Sequence, residues 1–265
     1  MTVKEEVVQS ISDYVRLVLE DFSAARHWFR GQGCHRRLLR PSLFRRIEPY
    51  SASDMIAKEL ALITRFRQRS LPLWPEGYPQ DDWEQLFAMQ HFGVPTRLLD
   101  WSENATVAAY FAADHDATRC ECEVGDCRPT IWILDPVRLN RLNSRLDGYG
   151  EAIGILSTNS EAIEPWAPGT EETRFAPWPV ALHGTHNSAR IVAQQGTFTV
   201  MGKEGAALET SPAVQDNDEV LAKVVFETDH SMLMTELRAL GVTRPTVFPD
   251  LPSVAFDVTV EELGS

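Results

Sequence analysis

The side chains of Gln90, His91, Thr96, Arg97, Asp100 and Ser102 crowd one short connection of the chain. An amide, an imidazole, a guanidinium, a carboxylate and two hydroxyls so close together exceed what a turn needs for its own backbone, and connections rich in such groups are where ligands are held. Gly93 and Pro95 mark a turn, Leu98-Leu99 read as a short strand, and Asp100-Trp101-Ser102 reads as a tight polar turn. Ala105, Ala108, Ala109 and Ala112 then recur at helical spacing, with Val107, Tyr110 and Phe111 among them. Such a small-residue helix lets a neighbouring backbone come close. The turn brings Asp100 and Ser102 to its N-terminus, where amide N–H groups and the helix dipole favour an anionic ligand. The plainer alternative is that one of the two caps the helix.

Two other stretches carry similar chemistry. Trp28-Phe29 read as a buried strand ending at Arg30-Gly31, with Gly33 close behind. An arginine at a strand end offers a planar fork of donors to phosphate or carboxylate, and the glycines permit a ligand to approach the backbone. The alternative is a surface arginine in a basic turn. Further on, Gln194-Gln195-Gly196 form a bend between residues 189–193 and 197–201, which both read as strands, with Arg190 nearby. A glutamine at such a bend either satisfies backbone groups or reads a ligand.

These residues need elements to position them. Residues 3–20 show an amphipathic helical pattern, and residues 53–70 another. Asp81 or Asp82 starts a third helix that runs to Gln90, and Ser231 starts a fourth that Gly241 stops. Residues 130–134 and 221–226 read as strands. Helical patterns and isolated short strands alternate irregularly. The expectation is therefore an α+β fold: a small mixed or antiparallel core sheet with strands at Trp28, Ile131, Ile191, Phe198 and Val225, flanked by helices.

With 265 residues and 43% hydrophobic content, one core is within reach, and a single domain over 1–265 is expected. The net charge of -13 argues against general nucleic-acid binding. A local basic patch nevertheless stands out at Arg26, Arg30, Arg36, Arg37, Arg40, Arg45 and Arg46. No apolar run is long enough to cross a bilayer and the N-terminus has no signal-peptide core, so a cytoplasmic protein without membrane contact is expected. Cys120, Cys122 and Cys127 could supply thiolates to zinc, with His115 or Cys34 completing the set. The spacing is tighter than usual and the neighbours Glu121, Glu123 and Asp126 are acidic, so an acidic loop with incidental thiols and no metal is preferred.

Three separated stretches resemble one family, the FRG domain. They are Phe29-Arg30-Gly31 with Pro41 to Arg45, then Gln90 to Trp101 with Ala108 to Ala112, and then Arg190 to Thr199. Leu240-Gly241 and Phe248 to Leu251 resemble its C-terminal end. The resemblance implies an N-terminal helix over 1–24 and an FRG core over 25–255. In the order of its blocks the chain is more distantly similar to ADP-ribosyltransferase folds. That similarity implies NAD as substrate or ligand, with Arg30 holding phosphate, Asp100 stabilising a ribosyl cation and Gln195 orienting the ribose. Gly31, Gln90, His91, Thr96, Arg97, Trp101, Ser102, Arg190 and Gln194 would complete the ligand site. It further implies ADP-ribosyl transfer or NAD hydrolysis, with a macromolecular acceptor or an antitoxin as partner, in bacterial stress or phage defence. The catalytic glutamate of those folds is missing, because Arg190 or a neighbour near Gln194 stands at its position. A non-catalytic module that senses a nucleotide or binds a partner is the other reading.

Overall fold

Thr130–Leu134 is buried along its whole length and Leu221–Phe226 along nearly all of it. Runs of that kind belong inside a sheet covered on both faces. The computed structural model describes residues 3–74, 77–114, 127–184 and 188–263. It places these runs in an eight-stranded mixed sheet. The strands are β1 (Lys4–Val8), β2 (Trp28–Gln32), β3 (Leu98–Ser102), β4 (Thr130–Leu134), β5 (Leu156–Ser157), β6 (Val180–His183), β7 (Gly196–Val200) and β8 (Leu221–Phe226). Their spatial order is β1-β8-β4-β2-β3-β7-β6-β5. All neighbours are antiparallel except β1–β8 and β5–β6. The fold is α+β, as expected, and the sheet adds β1, β5 and β6 to the strands read from the sequence.

The helices are α1 (Ile11–Asp21), α2 (Ala52–Ser70), α3 (Asp82–His91), α4 (Ala105–Ala113), α5 (Pro136–Arg141), α6 (Ala189–Gln194), α7 (Pro212–Gln215), α8 (His230–Ala239), α9 (Arg244–Val247) and α10 (Leu251–Leu263). Most begin at a side chain that accepts an orphan amide. Ser10, Ser51, Asp81 and Asp229 do so for α1, α2, α3 and α8. Among the described residues no helix is long and apolar enough to cross a membrane.

Several expectations are corrected. The helical pattern at the N-terminus begins only at Ile11, because Ser10 caps it there and Lys4–Val8 instead pairs with the edge of β8. Asp229, not Ser231, caps α8. Ile191 lies in α6 and not in a strand, since Ser188 accepts the Ile191 amide at 3.2 Å and opens a helix. Asp100, Trp101 and Ser102 belong to β3 rather than to a turn, because all of Leu98–Ser102 pairs with β7. Neither Asp100 nor Ser102 caps α4. That role falls to Asn104, whose Oδ1 accepts from the Thr106 and Val107 amides. The zinc question at Cys120, Cys122 and His115 lies outside the described residues; Cys127 alone of that loop is described, and it is half-buried.

Three apolar clusters fill the molecule. One lies under α1, α4 and α8, one packs around Trp28, Phe44 and Trp132, and one packs around Phe87, Trp166 and Phe198. Arg97, fully buried, joins the elements between them. Its Nε donates to Glu59 on α2 at 2.7 Å, its Nη1 to the Met201 carbonyl at 3.0 Å, and its Nη2 to the Trp166 carbonyl. Its guanidinium carbon also lies 4.9 Å from the centre of the Phe175 ring. A buried charge is tolerated when it is paired and its remaining donors are used, as here.

Candidate functional site

In the middle of the sheet, β2 and β3 share a single bridge, Phe29 with Ser102. Past that bridge the ladder does not continue. The Asp100 carbonyl is met instead by Arg30, whose Nη1 donates to it at 2.6 Å. A cavity of about 240 Å³ opens at this seam. Arg30 and Gly31 from β2, Asp100 and Ser102 from β3, Gln90 and His91 from α3 and Arg190 and Gln194 from α6 all border it.

Asp100 is held from two directions. Gln90 Nε2 donates to its Oδ2 at 2.6 Å, and Arg30 Nη1 stands 3.8 Å from the same oxygen. The orientation of Gln90 is itself fixed. The Leu98 amide donates to Thr96 Oγ1 at 3.1 Å, so the Thr96 hydroxyl proton is free to go to Gln90 Oε1, to which it is hydrogen-bonded. With its carbonyl engaged there, Gln90 presents its NH₂ to Asp100. The other carboxylate oxygen, Oδ1, is available to a ligand, and the side chain is about half exposed (55%).

The site is rich in positive charge. Burial lowers the pKa of Arg30, opposed by the charge of Asp100 and assisted by Arg37. Burial also lowers that of Arg190, opposed by Asp100 and Asp250. His91 is pushed below its usual range by burial first and by Arg190 second, with Asp100 opposing, which favours its neutral form. Two buried polar atoms of cavity-lining residues, Arg30 Nε and Thr197 Oγ1, have no hydrogen-bond partner. Unsatisfied groups of this kind are uncommon and require an explanation, and one explanation is a ligand.

The expected site residues divide into two sets. Arg30, Gly31, Gln90, His91, Asp100, Trp101, Ser102, Arg190 and Gln194 border the cavity. Thr96, Arg97 and Gln195 do not. Thr96 and Arg97 are fully buried, the first in the Gln90 relay and the second in its ion pair with Glu59. Gln195 is exposed and terminates α6 in the left-handed conformation (φ 46°), with its carbonyl accepting the Glu103 amide.

Several bordering residues have other work. The Trp101 indole Nε1 donates to Thr199 in the core. The Ser102 hydroxyl donates to the Gln194 carbonyl at 2.6 Å and accepts the Asn104 amide at 2.9 Å, which ties β3 to the end of α6. Gln194 Nε2 donates to the Val247 carbonyl at 3.2 Å. Gly31 also serves the packing of α4: a Cβ there would lie 1.9 Å from the Ala108 carbonyl oxygen. Phe87, Phe111, Ile191, Thr197 and Phe198 were not anticipated. They line the cavity with mostly apolar groups, and Phe87 and Phe198 stack at 4.8 Å. The one sequence signal of the apolar four, their spacing, is shared with every core residue.

Residues 25–120 match the family model of the FRG domain. That match covers less than half of the 265 residues. The matched FRG segment includes β2, the arginine-rich turn, α2, α3, β3 and α4, and so both Arg30 and Asp100. Arg190 and Gln194 lie beyond the FRG match. No curated protein and no solved structure matches the chain.

Proposed function

We propose that the seam cavity of this FRG-domain protein binds NAD and acts on its N-glycosidic bond, by ADP-ribosyl transfer or by hydrolysis. The observation that carries the reading is the pairing of a held carboxylate, Asp100, with a guanidinium whose Nε is buried and unpartnered, Arg30. Arg30 suits a phosphate oxygen, and Arg190 adds a second positive charge. Phe87, Phe111 and Phe198 suit a flat ring. Cleavage of the bond sends its electron pair to nicotinamide and leaves positive charge on the ribose, as in glycoside hydrolysis. Asp100 Oδ1 would stabilise that charge. Water or an acceptor nucleophile then bonds to the ribose carbon and releases its proton to solvent. The order of blocks, similar to ADP-ribosyltransferase folds, supports the same reading.

One feature favours a second reading, a nucleotide-sensing module without turnover. Arg190, or a neighbour near Gln194, stands where ADP-ribosyltransferase folds carry their glutamate, and a cation there would oppose charge developing on the ribose. Titration calorimetry with NAD followed by a nicotinamide-release assay separates the two. Arg30→Ala should weaken NAD binding by about 1.5–3 kcal/mol, the usual worth of a charge-assisted hydrogen bond. Asp100→Asn keeps the shape and removes the charge, so it should abolish nicotinamide release while affinity stays within a few-fold. Binding by the unmodified protein with no release, lysate being present as acceptor, would establish the sensing module instead.

A further inference from the structure

The turn between β2 and α2 gathers positive charge beside the cavity. Arg45 and Arg46 sit in one helical turn, Phe44–Arg46. Two hydrogen bonds dock the preceding residues on the approach to β3: the Leu43 amide donates to the Thr96 carbonyl at 3.0 Å, and the Thr96 amide donates to Ser42 Oγ at 3.2 Å. Thr96 also anchors the relay to Asp100, so the basic turn and the cavity share one fixed point.

The charges of this turn are unevenly compensated. Arg40 pairs with Glu48 at 2.7 Å. Among the described residues Arg45 and Arg46 have no carboxylate within ion-pair reach, and Arg45 Nη1 donates only to the Arg40 carbonyl. Partial burial lowers the pKa of Arg45, and the charges of Arg37, Arg30, Arg40 and Arg46 lower it further, which puts those four guanidiniums within electrostatic reach of Arg45. Like charges held together destabilise the fold, and this chain has acids in excess, 38 against 25 bases, from which partners could be drawn. The cavity itself, at about 240 Å³, is smaller than the roughly 300–1,000 Å³ of pockets that enclose a whole drug-sized ligand. A nucleotide seated at Arg30 therefore extends past the mouth.

We propose that Arg45 and Arg46 form an anion subsite beside the cavity, which takes a phosphate of the part of the ligand that the cavity does not enclose. The subsite rests on the nucleotide reading for its ligand but is tested apart from it. Calorimetry would compare the unmodified protein with Arg45→Ala/Arg46→Ala and Arg45→Lys/Arg46→Lys, using inorganic pyrophosphate, NAD, nicotinamide mononucleotide and a short single-stranded oligonucleotide. The alanine pair should bind pyrophosphate and NAD about tenfold or more weakly, with mononucleotide affinity little changed. The lysine pair, which keeps the charge, should retain most of the pyrophosphate binding. Both side chains are exposed, so thermal midpoints should stay close to that of the unmodified protein. Loss of pyrophosphate binding in a protein that ignores NAD would keep the subsite and remove the NAD reading. Loss of oligonucleotide binding with NAD unaffected would keep it with a nucleic-acid phosphate as the source. Equal affinity of the alanine pair and the unmodified protein for every probe, or no binding of any probe, would overturn it.

Discussion

Thr96 shows how a residue outside the cavity can set its chemistry. It is fully buried, and its hydroxyl passes the direction of the Leu98 amide to Gln90 and so to Asp100. Thr96→Val keeps the volume and removes the hydroxyl. Gln90 is then free to turn its carbonyl toward the carboxylate. On the NAD reading proposed above, the expected result is a fall of about tenfold or more in nicotinamide release, with Thr96→Ser near the unmodified rate. A second readout does not depend on turnover: the Gln90 side-chain NH₂ resonances should move toward those of a free glutamine in Thr96→Val alone. If Thr96→Val and Thr96→Ser behave alike in both measurements, the relay has no such role. At this scale the sequence reading was half sufficient. Residue types pointed to Arg30, Gln90, His91, Asp100 and Arg190. They did not tell which members of the crowded stretch face inward, and Thr96 and Arg97 took buried structural roles.

Among the elements, α4 and β2 make the closest contact of consequence for the site. Alanines on a helix and a glycine on a strand were legible as a close backbone approach, but the approaching backbone belongs to the protein itself. A methyl group on Gly31 meets the Ala108 carbonyl at 1.9 Å and the Ala112 nitrogen at 2.6 Å. Gly31→Ala should therefore cost about 1–3 kcal/mol or more, read from urea unfolding, because a rigid helix and not a flexible side chain has to move. Of the longer helices, α2 was readable from its apolar period and α3 from its start signal at Asp81. The six residues of α6 were not, since a span that short fits a strand or a helix equally well until Ser188 is known to cap it. Lys4–Val8 carries too little apolar pattern to announce a strand, and it becomes one because β8 offers an edge.

Across the whole molecule, Arg97 and Glu59 bind together parts of the chain that are distant in sequence. Glu59→Leu leaves a guanidinium buried without its counter-charge, and the expected cost is about 3–5 kcal/mol in chemical denaturation. A cost below about 1 kcal/mol would mean that the Met201 and Trp166 carbonyls suffice. The α+β class was legible in the irregular alternation of patterns. The size of the sheet was not, because β5 and β6 are short and their apolar residues lie among prolines and acids.

The single bridge between β2 and β3 has a mechanical meaning. Among the described residues, the half made of β1, β8, β4 and β2 shares one ladder bridge, Phe29–Ser102, with the half made of β3, β7, β6 and β5; side chains make the rest of the joint, Arg30 reaching Asp100 and Trp28 packing against His183. A joint with one ladder bridge depends on side-chain packing for its stiffness. An occupant touching Arg30 on one side and Asp100 on the other would act as a keystone between the halves, so whatever fills the cavity would also stiffen the fold that holds it.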